Sequence, residues 1–469
     1  MRRMFPWVVL FVLACRGRHA DSPRDGRAER ASPSADADGR PLHKGAQRRD
    51  PDEIPTDKPA TVLLIVMDTV RADHLSLCGY GRPTSPFLEH VRDAFGASWS
   101  CDAYSPATWT MPSHTSYFTG LRVDEHGHDR LGGSLRPDLP PMLAETFAER
   151  GYETALVAAN PALGKSGLQK GFAHVRIAKD MTELRQATLA DALRETLRGI
   201  DASKPLFLAV NLIDAHDPYP KVPTGVGWLA AQDAVALSVN DPERDSPYHQ
   251  FLKGEMGKEK AEKYLKMVTD GYDWGVHQED AAARDVFDVL RASGRLPGPL
   301  RVVITADHGE FLGEHGLLRH AAYVYEPVVK VPFLYFDNLV AEPLALPKPM
   351  SALHTYRLLL DGTLDPRHTV PTSASRVMDE RPIKPGADML AQWLPDGEKV
   401  LWADGASWTV DLRSDPSESR RTERLPDAAW SEAIAHYTQH LRESAARPLD
   451  AGAVESLRAL GYLEDGGSP

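Results

Sequence analysis

The chain has 469 residues, 42% hydrophobic and 26% charged, an ordinary globular composition in a length too great for one small core. Its net charge of −12 argues against a nucleic-acid partner, whose phosphates require a basic face. Three cysteines are too few for a disulfide framework or a cysteine-rich zinc module, so oxygen and imidazole groups must carry the chemistry.

Residues 1–15 have the form of an export signal. Arg2 and Arg3 precede an unbroken apolar run, Phe5 to Ala14, which is far short of the roughly 20 residues that span a bilayer. The segment Val12-Leu-Ala-Cys15 resembles the lipobox of bacterial lipoproteins, which implies lipidation at Cys15 and a periplasmic or cell-surface protein tied to the membrane. An ordinary cleaved signal peptide with an incidental cysteine exports the chain equally. Residues 16–58 hold few large aliphatics and read as a disordered linker, because they cannot bury enough apolar surface to offset their ordering entropy.

The folded body opens at Thr61–Met67, a run rich in β-branched residues with no polar face, as in a central parallel strand. Asp68 then falls at the carboxyl end, where open α/β sheets place their ligands. Short apolar runs follow at 154–159, 205–211 and 300–306, with helical patterns at 140–150, 181–198 and 259–292 between them. This alternation predicts a doubly wound α/β domain with a mostly parallel sheet over residues 59–365. The polar insertion 220–257 reads as a loop over one edge. On the 259–292 helix, Asp273 and Asp280 read as solvated or capping charges. Residues 366–469 form a C-terminal α+β subdomain, with strands in 389–403 and 407–412, a turn at Pro395-Asp-Gly and a helix over 427–445.

The chain's chemistry converges on Ser105–Gly120, a loop running into a short helix that stops at Gly120. There the Thr110 hydroxyl lies at a helix N-terminus, where free N–H groups favour a developing anion. A threonine in that position also serves commonly as a simple N-cap. Asp68, Thr110, Asp307 and His308 stand at strand ends or loop starts and make an oxygen-rich cation site with one nitrogen ligand. A metal there lowers the pKa of the Thr110 hydroxyl and activates it as a nucleophile. His216, His315, Arg319 and His320 lie in nearby loops and suit an anionic tetrahedral substrate, phosphate or sulfate. His216 and His315 are candidate general acids, since imidazole titrates near neutrality.

The segments 68–81, 108–120, 216–219 and 307–316 together resemble the sulfatase family of the alkaline phosphatase superfamily, in order and spacing, over about residues 60–340. The ending Ser456–Leu463 is similar to the tail of many bacterial sulfatase-like proteins. The resemblance implies an ester hydrolase fold, a divalent metal and an anionic ester substrate. It also places His114 and Asn160 in the substrate-binding loops, at positions where sulfatases carry other residues. Sulfatases oxidise the cysteine of Cys-x-Pro-x-Arg to formylglycine; here the matching residues are Thr110, Pro112 and His114. Threonine cannot yield that aldehyde, so no formylglycine is expected. The Asp68, Thr110, Asp307, His308 set resembles the threonine-nucleophile branch of phosphodiesterases and phospho-group transferases, which favours zinc or manganese over calcium or magnesium. A metal-dependent hydrolase of phosphate or sulfate esters is the leading reading. A phospho-group transferase acting on lipid or glycan, or an inactive binding lipoprotein, is the alternative.

Overall fold

The computed structural model describes residues 57–445 apart from 130–134, 166, 238–245, 376–387 and 404. The export signal, Cys15, nearly all of the linker and the Ser456–Leu463 tail lie outside the described residues.

Six strands appear first in chain order: β1 (Thr61–Met67), β2 (Ser98–Tyr104), β3 (Glu153–Ala158), β4 (His174–Ile177), β5 (Leu206–Leu212) and β6 (Leu300–Ala306). A two-stranded hairpin, β7 (Phe311–Leu312) with β8 (Leu318–Arg319), precedes β9 (Lys330–Asp337) and β10 (Met350–Ser351). Without β7 and β8, these strands make one eight-stranded sheet in the order β10-β2-β9-β6-β1-β5-β3-β4. Only β9 runs against the others, pairing antiparallel with both β2 and β6. The fold is therefore the expected mostly parallel α/β sheet. β1 is buried at all seven positions, as its unbroken apolar run requires, and so is β5. Residues Val66 of β1 and Ala158 of β3 are both in register with Asn211 of β5, so the ends of these three strands lie side by side.

The 35-residue helix Lys258–Ala292 packs along the sheet and against the helix Gln186–Arg198. Its two singled-out carboxylates are not solvated. Asp280 accepts the Phe87 and Leu88 amides (2.8 and 2.9 Å), capping the first turn of a neighbouring helix, Pro86–Phe95. Asp273 is buried among His74, Tyr80 and Arg82, all within hydrogen-bond reach. In both cases donors from distant parts of the chain, a helix start for Asp280 and a loop for Asp273, replace water. The insertion after Pro220 is not wholly loop, since Pro247–Lys253 is helical.

A second, antiparallel sheet follows: β11 (Thr372–Ser375), β12 (Met389–Trp393), β13 (Glu398–Ala403), β14 (Ala406–Asp411) and β15 (Thr422–Glu423). The helix Ala428–Ala445 covers it through Trp430 and Tyr437. Gly397, at φ +86°, closes the β12–β13 turn in a conformation that glycine adopts without steric cost. The edge strand β11 docks on the stretch leading to Thr110: the Ala374 amide donates to the Pro106 carbonyl at 2.9 Å. Cys78, in the loop after β1, is disulfide-bonded to Cys101 of β2. Among the described residues, no helix is long and apolar enough to cross a membrane.

Candidate active site

Strand ends set the site. β1 delivers Asp68, β6 delivers Asp307 and His308, and the helix Thr110–Thr119 begins at Thr110. One ligand atom from each of Asp68, Asp307 and His308 lies within 4.8 Å of the others, and all three residues are fully buried. The Thr110 hydroxyl lies 3.3 Å from His308 Nε2 and receives the Asn160 amide, also at 3.3 Å. It does not cap its helix: the N-cap is Trp109, with no side-chain cap bond.

Each partner has a defined orientation. His308 Nδ1 donates to the Gly309 carbonyl at 3.0 Å, leaving the Nε2 lone pair toward Thr110 and the carboxylates. Asp68 Oδ2 accepts from Asn160 Nδ2 (2.9 Å) and Asn211 Nδ2 (3.3 Å). Asp307 Oδ1 accepts the Thr69 and His308 amides at 3.3 and 3.0 Å. The opposite oxygens, Asp68 Oδ1 and Asp307 Oδ2, are buried with no hydrogen-bond donor. Burial, reinforced for Asp68 by Asp307, pushes both carboxyls up to about 7, whereas burial lowers His308 against the pull of Asp68. Two orphaned carboxylate oxygens and an imidazole lone pair, converging in a fully buried spot, fit a divalent cation.

His114 flanks this group. Its Nδ1 donates to the Thr110 carbonyl at 3.0 Å and lies 3.6 Å from Asp307 Oδ2, and burial lowers its pKa to about 4. On the other side three imidazoles form a row. The His308 and His320 rings are 4.3 Å apart, and the His320 and His216 rings 5.0 Å. His320 Nδ1 donates to Glu310 Oε1 at 3.2 Å. His216 Nδ1 donates to the Asp217 carbonyl at 2.5 Å, and burial holds its pKa near 3. Arg319 stands next to His216, 3.9 Å from Asp217 Oδ2 and donating to the Leu237 carbonyl.

His315 is placed elsewhere. The short hairpin carries it at φ +55° to stack on Tyr325, with ring centroids 4.1 Å apart, facing a cavity of about 770 Å³ bounded by Arg71, Cys78, Cys101 and Lys330. Sequence reading missed Asn211 and Glu310. A lone asparagine within the apolar β5 run, and a glutamate two residues beyond His308, were the available signals.

A mostly parallel sheet whose strand ends gather two carboxylates, an imidazole and a helix-start threonine defines an α/β protein of the alkaline phosphatase type. Residues 60–361 match the sulfatase family model, and the chain belongs to that family. Among solved structures, the phosphonate monoester hydrolase of Agrobacterium radiobacter is similar at TM-score 0.59 and 16% identity, covering 83% of this chain and 96% of that one. The phosphonate monoester hydrolase of Silicibacter pomeroyi gives 0.57 and 16%, covering 84% and 96%. A structure solved with its substrate D-glucosamine-2-N,6-O-disulfate gives 0.55 and 15%, covering 84% and 99%. At these identities the likeness is one of fold. No curated protein sequence matches the chain.

Proposed function

We propose that the chain is a metal-dependent hydrolase of anionic phosphate or sulfate esters, with Thr110 as the nucleophile and phosphorus favoured over sulfur. The observation that carries this reading is the Thr110 hydroxyl held between His308 Nε2 and Asn160 Nδ2, beside the two orphaned carboxylate oxygens. Asp68, Asp307, His308 and Thr110 would hold the cation, zinc or manganese ahead of calcium or magnesium. When bound, it supplies positive charge that lowers the threonine pKa and neutralises the substrate anion.

Thr110 Oγ1, its proton lost to solvent, would form the new bond to phosphorus as the bond to the ester oxygen breaks on the opposite side, and water would then displace Thr110 from phosphorus, releasing phosphate and restoring the hydroxyl. Asn160 Nδ2 donates one hydrogen to Asp68 Oδ2 and the other to Thr110 Oγ1, and the second is the one that would move to a non-bridging oxygen as Oγ1 bonds to phosphorus. The leaving oxygen takes a proton from the histidine row, for which His320, paired with Glu310, is the candidate; His216, held neutral by burial, is placed to orient it. Arg319 adds charge behind them. His315, stacked on Tyr325, takes no part in this reading. Phosphorus is favoured because a threonine cannot be converted to formylglycine. The disulfide between Cys78 and Cys101 supports export to an oxidising compartment, with Cys15 as the lipid anchor.

The test is an assay of metal-loaded protein on an aryl phosphate monoester, a phosphate diester and a sulfate ester side by side. Turnover of a phosphorus ester with a phosphoryl group trapped on Thr110 is expected. No turnover of any of the three would favour a binding protein that keeps the fold.

A further inference from the structure

Asn211 is the one polar residue of β5, whose sequence is otherwise Leu-Phe-Leu-Ala-Val and Leu, and it is 1% exposed. Because β5 lies between β1 and β3, its carboxyl end adjoins both the exit of β1 to Asp68 and the exit of β3 to Asn160. Both ends of the Asn211 side chain are used. Its Oδ1 accepts the Asn160 backbone amide at 2.8 Å, and its Nδ2 donates to Asp68 Oδ2 at 3.3 Å. The amide cannot be turned over, because the Asn160 N–H needs an acceptor and the Asp68 carboxylate needs a donor. A buried asparagine that only satisfied the strand exit would need its oxygen alone.

The second contact has a directional consequence. With Asn160 Nδ2 also on Asp68 Oδ2 at 2.9 Å, that oxygen receives two neutral donors. The rotation of the carboxylate is thereby set, and Oδ1 is the oxygen left to face Asp307 and His308. The first contact fixes the backbone of Asn160, whose side chain reaches Thr110 Oγ1. From this geometry we infer that Asn211 is a positioning residue that sets both the cation-facing oxygen of Asp68 and the amide that contacts the nucleophile. The inference rests on the metal reading of the site.

Asn211→Ala, in the full chain, is to be compared with the parent protein after chelator stripping and titration with Zn²⁺ and Co²⁺. Partners that orient a ligand typically contribute about 10–100-fold to metal affinity. The expected result is a Zn²⁺ affinity lower by that factor, with altered visible bands in the Co²⁺ form, in protein that still melts cooperatively. A purely structural asparagine would lower the melting temperature and leave the Co²⁺ spectrum and the affinity of the folded protein unchanged, and that result would overturn the inference. If Asn211→Ala does not fold, Asn211→Thr carries the same measurement, since threonine suits a strand and its hydroxyl can accept the Asn160 N–H. Failure of both to fold overturns the inference in favour of a residue that merely holds strand ends together. A parent protein that binds neither ion sinks the metal reading itself, which keeps the two failures distinct.

Discussion

Thr110 Oγ1 lies 3.3 Å from His308 Nε2, although 198 residues of chain separate them. The imidazole presents its lone pair toward the same point as the hydroxyl, so one cation placed there would contact both His308 and Thr110. Thr110→Ala is expected to lower kcat on the order of 10³-fold or more, the scale of losing an activated nucleophile. Thr110→Ser, which keeps the oxygen, should retain part of the activity. Normal turnover by the alanine variant would make water the nucleophile and end this mechanism.

Removal of metal should change stability in a pH-dependent way. Asp68 and Asp307 are held up at about 7, against roughly 3.9 in an unfolded chain. Between those values the metal-free folded state keeps protons that the unfolded state has released, so these groups lower stability as pH rises through that window. His114 and His216, depressed to about 4 and about 3, act oppositely between those values and about 6.5. Zn²⁺ held at one concentration, about 100 times its Kd at pH 8, should add about 2.7 kcal/mol there and less at pH 5, where protons on the carboxyls compete with it. The rise in Tm should be larger at pH 8 than at pH 5. An increment of zero at both would show that the two orphaned oxygens bind no cation.

Leaving-group dependence separates the histidines. Replacing a general acid costs roughly 10²–10⁴-fold on an ester with a poor leaving group, and far less on a nitrophenyl ester. His320→Ala is expected to show that split, whereas His216→Ala, an imidazole held neutral by burial, should lower both rates alike. His315→Ala, remote in the fold and stacked on Tyr325, should lower both rates by one similar, small factor. Equal losses on both esters for all three variants would assign them to anion binding or to structure.

How much of this was legible in the sequence depended on the kind of signal. Asp68 and Asp307 end apolar runs, and such runs in an α/β chain predict both the strand and its ligand-bearing end. β2 and β9 gave no such run: Ser-Trp-Ser-Cys-Asp-Ala-Tyr is too polar, and Pro332 interrupts the other. The antiparallel strand was therefore invisible. His315, Arg319 and His320 sit close in sequence, but the hairpin between them turns through positive φ at His315, Arg319 and Ala321. Non-glycine residues there give no local warning, so the sequence could not say which side chain faces Thr110. Asn211 was hidden because its partners, Asp68 and Asn160, lie on other strands.

The Cys78–Cys101 bridge closes 23 residues of chain between the loop after β1 and the strand leading to Thr110. Removing it by Cys101→Ser should cost about 3 kcal/mol of stability. Mass analysis after alkylation without reductant should find neither cysteine labelled. Two labelled thiols would exclude the bridge.

Membrane attachment is expected to depend on Cys15. Cys15→Ser should release the protein into the soluble fraction or leave it misprocessed. Unchanged partitioning would require another anchor.

The long helix Lys258–Ala292 has a consequence for which changes in length the chain can survive. From Tyr272 to Asp280 almost every turn is engaged with a different part of the molecule. The Tyr272 hydroxyl donates to the Thr69 carbonyl (2.8 Å) and accepts the Arg71 amide (2.9 Å), pinning the loop beyond Asp68 where Thr69 holds φ +61°. Asp273 gathers His74, Tyr80 and Arg82. At Gly275 an added Cβ would meet the Asp214 carbonyl at 2.2 Å. Glu279 takes the Ala215 amide and Asp280 the start of another helix. One inserted residue rotates everything beyond it by about 100°, so a single insertion in this stretch would unseat all later contacts together. The same insertion near Glu259–Lys263, where side chains are exposed, shifts only the solvated first turns. Homologous chains should therefore vary freely in length before Tyr264 and keep strict spacing from Tyr272 to Asp280.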